Sequence, residues 1–208
     1  AKGLQHFKYT TAAKKIDSIQ KEILALAQQE EPYDVFICYK ETDESGNRTQ
    51  DSVIANDLYY ELVQEGFKVF YSAITLEDKL GAEYEPYIFS ALNTAKVMLV
   101  VGTKSEYYNA GWVKNEWSRF LKLMKKDRSK TLIPCYRDMD PYEMPEEFAH
   151  FQAQDMSKIG FINDLIRGVK KLIRRDGSEE NESEKSTQES TGGTTATAQL
   201  KRGYIALD

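Results

Sequence analysis

One carboxylate stands where a helix should be apolar. In Gly111-Trp112-Val113-Lys114-Asn115-Glu116-Trp117 and the residues that follow, a helix over 112–126 turns about 100° per residue. Trp112, Val113, Trp117, Phe120, Leu121, Leu123 and Met124 then share one half of its surface. Lys114, Asn115, Ser118, Arg119, Lys122, Lys125 and Lys126 share the other half. Glu116 alone breaks the segregation, one turn after Trp112 and inside the apolar arc. A carboxylate is rarely buried unless something compensates its lost hydration. Two readings follow: a structural acceptor for a nearby backbone amide, or a site whose chemistry uses a desolvated negative charge.

Alternating strands and helices must position that residue. Tyr33-Asp34-Val35-Phe36-Ile37-Cys38-Tyr39 is a short, nearly continuous apolar run, as expected of a strand buried on both faces. A polar loop over Lys40 to Arg48 precedes a helix from about Thr49, with Ile54, Leu58 and Leu62 on one face and Gly66 as its stop. Phe67 to Tyr71 predicts a second strand, followed by a long polar loop from Ser72 to Gly81 and a helix carrying Ile88, Ala91 and Leu92. Lys96 to Gly102 is a third strand, and Thr131 to Tyr136 a fourth, after the Glu116 helix. A loop marked by Pro141 and Pro145 leads to a weak fifth strand near Ala153 to Met156, and a last helix spans Ile159 to Ile173. Such alternation predicts an α/β fold with a parallel sheet covered on both sides. Ligands of these sheets bind beyond the carboxyl ends of the strands, so the loops after Tyr39, Tyr71 and Gly102 share one rim with the start of the Glu116 helix.

Four stretches are expected along the 208 residues. Residues 1–31 are a helical lead-in with Ile16, Ile19, Ile23 and Leu26 at seam spacing, which either docks on the domain or pairs with a second copy. Residues 32–175 are the domain. Residues 176–199 hold no aromatic or large aliphatic side chain and are expected to be a disordered linker. Residues 200–208 regain amphipathic character, as at the start of a following helical domain.

Composition excludes several functions. The net charge is −5 with a pI near 5.3, so nothing in the balance invites nucleic acid or an acidic membrane surface. No run approaches the roughly 18 apolar residues of a membrane span, and no secretory signal opens the sequence; the expected location is the cytoplasm. Cys38 and Cys135 lie in apolar runs and read as buried free thiols. His6 and His150 stand apart from any ligand-spaced cluster, so no metal is expected. No Gly-x-Gly-x-x-Gly follows the first strand, and no phosphate-binding loop or Gly-x-Ser-x-Gly elbow occurs. The third strand ends in Gly102-Thr103, without the aspartate of a phosphate-accepting receiver. Glu41-Thr42-Asp43-Glu44 has the look of a cation ligand set but reads as charge in a solvated loop.

Several of these pieces together resemble one family. Tyr33 to Tyr39 resembles the opening strand of Toll/interleukin receptor (TIR) domains, and Gly66-Phe67-Lys68-Val69-Phe70 their second strand. Val97 to Gly102, Ser105-Glu106-Tyr107 and Trp112-Val113-Lys114-Asn115-Glu116 resemble the third strand and the Trp-x-x-x-Glu that follows it. Order and spacing agree over about Pro32 to Ile173, and the wording of the strands and polar loop resembles bacterial members. The resemblance implies a flavodoxin-like sheet of five parallel strands. It also implies one of two functions: assembly of a scaffold, or cleavage of NAD at the nicotinamide–ribose bond by the glutamate of that motif, in bacterial defence or signalling.

For the second function, the resemblance makes Glu116 catalytic and implies a substrate-binding role for Trp112. Tyr39 and Lys40, at the start of the first loop, would line the same rim, with Ser72 and Tyr84 on the second-strand side. Active relatives often carry an acidic residue just after the second strand, where this chain has Tyr71-Ser72. Nicotinamide in NAD is already a cationic leaving group, so the protein must chiefly stabilise an oxocarbenium-like ribose. NAD is then the substrate, no cofactor is required, and linear and cyclic ADP-ribose both remain open as products. Self-association through TIR–TIR contacts is expected. Two alternatives stay open: a non-catalytic interaction module, and a nucleoside deoxyribosyltransferase, against which the Trp-x-x-x-Glu spacing speaks.

Overall fold

The apolar runs form strands because side chains alternate across a sheet, so a run apolar at every position can be buried on both faces. In the computed structural model, residues 31–75 and 85–185 are described, with side chains to residue 174, together with single positions 18, 21 and 25. The strands are β1 (Val35–Cys38), β2 (Val69–Phe70), β3 (Val97–Gly102), β4 (Thr131–Tyr136) and β5 (Gln154–Asp155). Every residue of β1 and β3 is buried. All pairings are parallel, in the order β2-β1-β3-β4-β5, with Val35 opposite both Val69 and Val97. The chain leaves β1 for one edge, then returns across it to β3. Between those directions the connecting helices lie on opposite faces, which opens a crevice at the carboxyl end of β1.

Helices cover both faces. On one lie α1 (Gln50–Gln64) and the last helix, α6 (Phe161–Lys185). Ile54, Leu58, Leu62, Leu165, Ile166 and Val169 pack there against Val35, Ile37 and Tyr39. On the other lie α3 (Glu85–Thr94) and α5 (Gly111–Met124), whose Ile88, Leu92, Val113, Trp117 and Phe120 meet Phe36 and Cys38. The period-two alternation of β1 therefore assigns Phe36 and Cys38 to the face that α5 covers. Two single-turn helices, α2 (Ser72–Thr75) and α4 (Ser105–Tyr108), follow β2 and β3.

The expected architecture is present, with three differences. The stretch expected as loop from Ser72 begins as helix α2, because the Thr75 hydroxyl accepts from the Tyr71 amide while the Thr75 amide donates to the Tyr71 carbonyl. Helix α6 starts after Gly160 rather than at Ile159 and runs to Lys185, past the edge expected at 175 and into the stretch expected to be a linker. A helix already nucleated by packing needs no apolar contact to propagate, and Glu, which fills four of the seven positions 179–185, is a good helix former. Finally, α1 is capped by Glu65, with Gly66 following at φ 87°, the left-handed geometry that glycine adopts freely. Positions 18, 21 and 25 are helical and exposed. The rest of 1–30, the second half of the Ser72–Gly81 stretch with Tyr84, and 186–208 lie outside the described residues.

One close contact fixes the exit from β3. A Cβ at Gly102 would lie 2.3 Å from the Tyr108 ring, so only glycine lets α4 fold back onto its own strand. The ring cannot easily yield, because Tyr108 is fully buried and its hydroxyl donates to the Cys135 carbonyl at 2.7 Å. Gly102→Ala is expected to lower the free energy of unfolding by about 1–3 kcal/mol, the usual cost of overpacking. Denaturant titration checks this, and an unchanged midpoint would contradict the steric account.

Candidate active site

Helix α5 sets the site. Its buried residues are Val113, Glu116, Trp117 and Phe120, so the carboxylate lies in the buried stripe as its spacing predicted. Trp117 is core: it is 1 % exposed, its indole N–H donates to the Tyr108 carbonyl at 2.9 Å, and its ring meets Phe148 edge-on. Trp112, one turn before Glu116, is 39 % exposed and lies at the edge of a cleft. The two tryptophans of one helix thus do different things, one holding the helix to the fold and the other facing outward.

The cleft has a volume of about 440 Å³ and lies at the carboxyl ends of β1 and β2. Phe36, Phe70 and Ile88 make an apolar floor, Trp112, Val113 and Glu116 one wall, and Tyr39, Lys40 and Ser72 the rim opposite. Tyr39, Lys40, Ser72, Trp112 and Glu116, all singled out from the sequence, therefore meet at one opening. Tyr84 lies outside the described residues. Tyr39 is nearly buried, its hydroxyl is 3.2 Å from the Ser72 hydroxyl, and burial pushes its phenol well up, so it stays protonated. At Ser72, where the resemblance marked a departure from the acidic residue of active relatives, a neutral hydroxyl pair occupies the rim.

Burial dominates the electrostatics of Glu116. The side chain is 6 % exposed, and loss of water pushes its pKa up to about 7. Hydrogen bonds from the Cys38 thiol and the Trp112 indole act the other way, favouring the charged form. The Cys38 thiol has a second acceptor, the Val113 carbonyl, at 3.6 Å. Burial first, and the facing carboxylate second, push the thiol well above its usual range, so it remains a donor. Sequence reading saw Cys38 only as a buried thiol. The available signal was its parity with Phe36 in β1, which places it under α5.

The acidic loop is ordered by its own backbone. Asp43 accepts from the amides of Ser45 and Asn47, both at 2.9 Å, and Thr42 pairs with Arg48. Among the described residues no cluster of His, Cys, Asp or Glu could hold a metal ion, and no helix is long and apolar enough to cross a membrane.

The raised pKa of Glu116 ties its charge to stability. The folded protein binds this proton near pH 7, the unfolded chain near 4.5. Between those values the folded state holds more protons, so the contribution is fully present below 4.5 and is lost as pH rises through 7. At about 1.4 kcal/mol per pH unit, the ionised residue costs up to roughly 3 kcal/mol. Glu116→Gln is expected to be more stable than wild type at pH 8, with the gain disappearing near pH 4.5; thermal melts across pH check it. A variant melting at the wild-type temperature at both values would show Glu116 is well hydrated.

Comparison with known proteins identifies the family of the fold. The family described as TIR domain matches residues 35–173. Among solved structures, the TIR domains of the activated Roq1 resistosome directly recognizing the pathogen effector XopQ superpose with a TM-score of 0.50 at 18% identity, covering 68% of this chain and 99% of that one. The TIR domain of the Toll-related receptor TRR-2 from Hydra magnipapillata gives 0.48 at 20% identity, covering 66% of this chain and 98% of that one. A TIR-STING receptor from C. gigas, solved with 2',3'-cGAMP, gives 0.48 at 14% identity, covering 66% of this chain and 39% of that one. No curated protein matches the sequence. The family match spans all five strands and the helix that carries Glu116: the chain belongs to the TIR domain family.

Proposed function

We propose that this TIR domain cleaves NAD at the nicotinamide–ribose bond, releasing nicotinamide and ADP-ribose or a cyclic isomer of it, in bacterial defence or signalling. The observation that carries the proposal is Glu116, a buried carboxylate on the wall of an apolar cleft with an indole one turn away. As the bond breaks, its electron pair leaves with nicotinamide, which becomes neutral, and positive charge moves onto the ribose. A carboxylate beside the ribose hydroxyls offsets that charge, and the dry surroundings strengthen the effect. Water, or a nitrogen of the substrate's own adenine, then captures the ribosyl cation. The exposed Trp112 face packs on the nicotinamide riboside, and the Tyr39–Ser72 pair with Lys40 bounds the other side of the cleft. Tyr84 is expected to add a ring on that side.

Protonation state decides activity. Only ionised Glu116 balances the cation, so turnover is expected to rise with pH and level off above about 7. Glu116→Gln keeps the shape and loses the charge, and NAD cleavage is expected to fall by at least about a hundredfold in a folded protein. Incubating the purified chain with NAD and identifying products by mass tests the proposal. Undiminished nicotinamide release by folded Glu116→Gln would sink the mechanism. A folded chain that self-associates and releases none would favour the non-catalytic assembly module.

Self-association belongs to the same proposal. The cleft is open beside Trp112, and a second protomer, docked head-to-tail through its Ser72–Tyr84 stretch, would close it. Contacts of this type do not close on themselves and build filaments. Specific activity is then expected to rise with protein concentration; constant specific activity in a protein that sediments as a monomer would show that one copy suffices.

A further inference from the structure

A second carboxylate lies deep inside the domain, away from the cleft wall. Asp51, in the first turn of α1, is fully buried. One of its oxygens accepts from the Thr103 amide at 2.8 Å and from the Thr103 hydroxyl at 2.7 Å, while the other has no hydrogen-bond partner. Burial pushes its pKa up to about 6 against those two bonds. A half-satisfied buried carboxylate is costly, and the sheet does not need it, since its strands are paired without it.

What Asp51 joins explains the cost. Thr103 is the first residue after β3, and the chain runs from it through α4 to α5. The Tyr108 ring, pressed on Gly102, belongs to the residue whose carbonyl receives the indole N–H of Trp117, the neighbour of Glu116. On the opposite side, the Thr49 hydroxyl, at the N-cap of α1, donates to the Lys40 carbonyl. The first turn of α1 therefore holds both the segment that leads to Glu116 and the rim that carries Lys40.

We propose that Asp51 is a positioning residue for Glu116: it clamps the Gly102–Thr103 turn to the first turn of α1, whose N-cap Thr49 holds the Lys40 segment, and so sets the spacing across the cleft. The kinetic part of the proposal rests on the reading of Glu116 as the NAD-cleaving carboxylate; the structural part does not. Small displacements of a catalytic group are enough to matter, since about 1 Å can cost a hundredfold in rate.

The test uses three single variants of the chain and one double variant. Asp51→Ala removes the clamp; Asp51→Asn keeps an oxygen for both Thr103 donors; Thr103→Val keeps the shape but loses the hydroxyl. Asp51→Ala is expected to lower kcat for NAD by about tenfold to a hundredfold with KM little changed, and Asp51→Asn to recover most of the loss. Adding Thr103→Val to Asp51→Ala is expected to cost nothing further, because both remove one link. Without NAD, amide hydrogen exchange over 103–116 is expected to quicken in Asp51→Ala, and less so in Thr103→Val, while β4 is unaffected. Wild-type kcat in folded Asp51→Ala, equal losses in the Asn and Ala variants, or unchanged exchange over 103–116 would each overturn the proposal. If Asp51→Ala does not fold, Thr103→Val decides: unchanged exchange and kcat refute the clamp, while faster exchange supports it. A wild-type chain that releases no nicotinamide would end the NAD reading and leave the exchange result to judge the clamp alone.

Discussion

Desolvation of one negative charge is the constraint on which the site depends. Glu116 sits in the buried stripe of α5 because the helix must present Val113, Trp117 and Phe120 to the sheet, and the 100° step carries position 116 with them. The fold tolerates the charge because the stripe ends at a cleft and because a thiol and an indole donate to it. Cys38 and Trp112 are weak or partly exposed partners. They relieve the carboxylate without neutralising it, which leaves a group balanced near neutrality instead of one locked in an ion pair. A lysine or arginine in their place would hold the carboxylate ionised but compete with any cation forming in the cleft.

The sheet order supplies the cleft. Because β1 lies between β2 and β3, the helices that follow β1 and β2 diverge to opposite faces. The carboxyl end of β1 is therefore left open, and Tyr39 and Lys40 are the residues that emerge there. Glu116 reaches the same place from the far side of β3, through a turn that only glycine permits at position 102. The buried carboxylate and the rim facing it thus come from segments far apart in sequence, joined by short-range contacts of Thr49, Asp51 and Thr103.

Much of this was legible in the residues. Continuous apolar runs at 35–38 and 97–102 are what strands buried on both faces require, and the misplaced Glu116 stood out from the helix period, although the residues alone left a structural acceptor and a site both open. The edges of elements were less legible. Helix α2 depends on a Thr75–Tyr71 exchange of hydrogen bonds that no periodicity announces. The extension of α6 to Lys185 is not announced by apolar periodicity, since 176–199 lacks aromatic and large aliphatic side chains. Asp51 was invisible for a different reason. An acidic residue in the first turn of a helix is what the helix dipole favours at any exposed N-terminus, so nothing in its position signals that it is buried and bonded to a strand end two crossovers away.

The sheet's two edges carry a consequence for how copies of this domain meet. The outer strands β2 and β5 are each two residues long. Such stubs expose too few unpaired main-chain groups to template a further strand. Among the described residues the sheet therefore offers only blunted edges for extension from one molecule into the next, the route by which open sheets run into cross-β aggregates. An ordered array of this domain would then draw chiefly on its helices and loops. Those contacts can be weakened or reversed one residue at a time, and they dissolve when the local concentration falls.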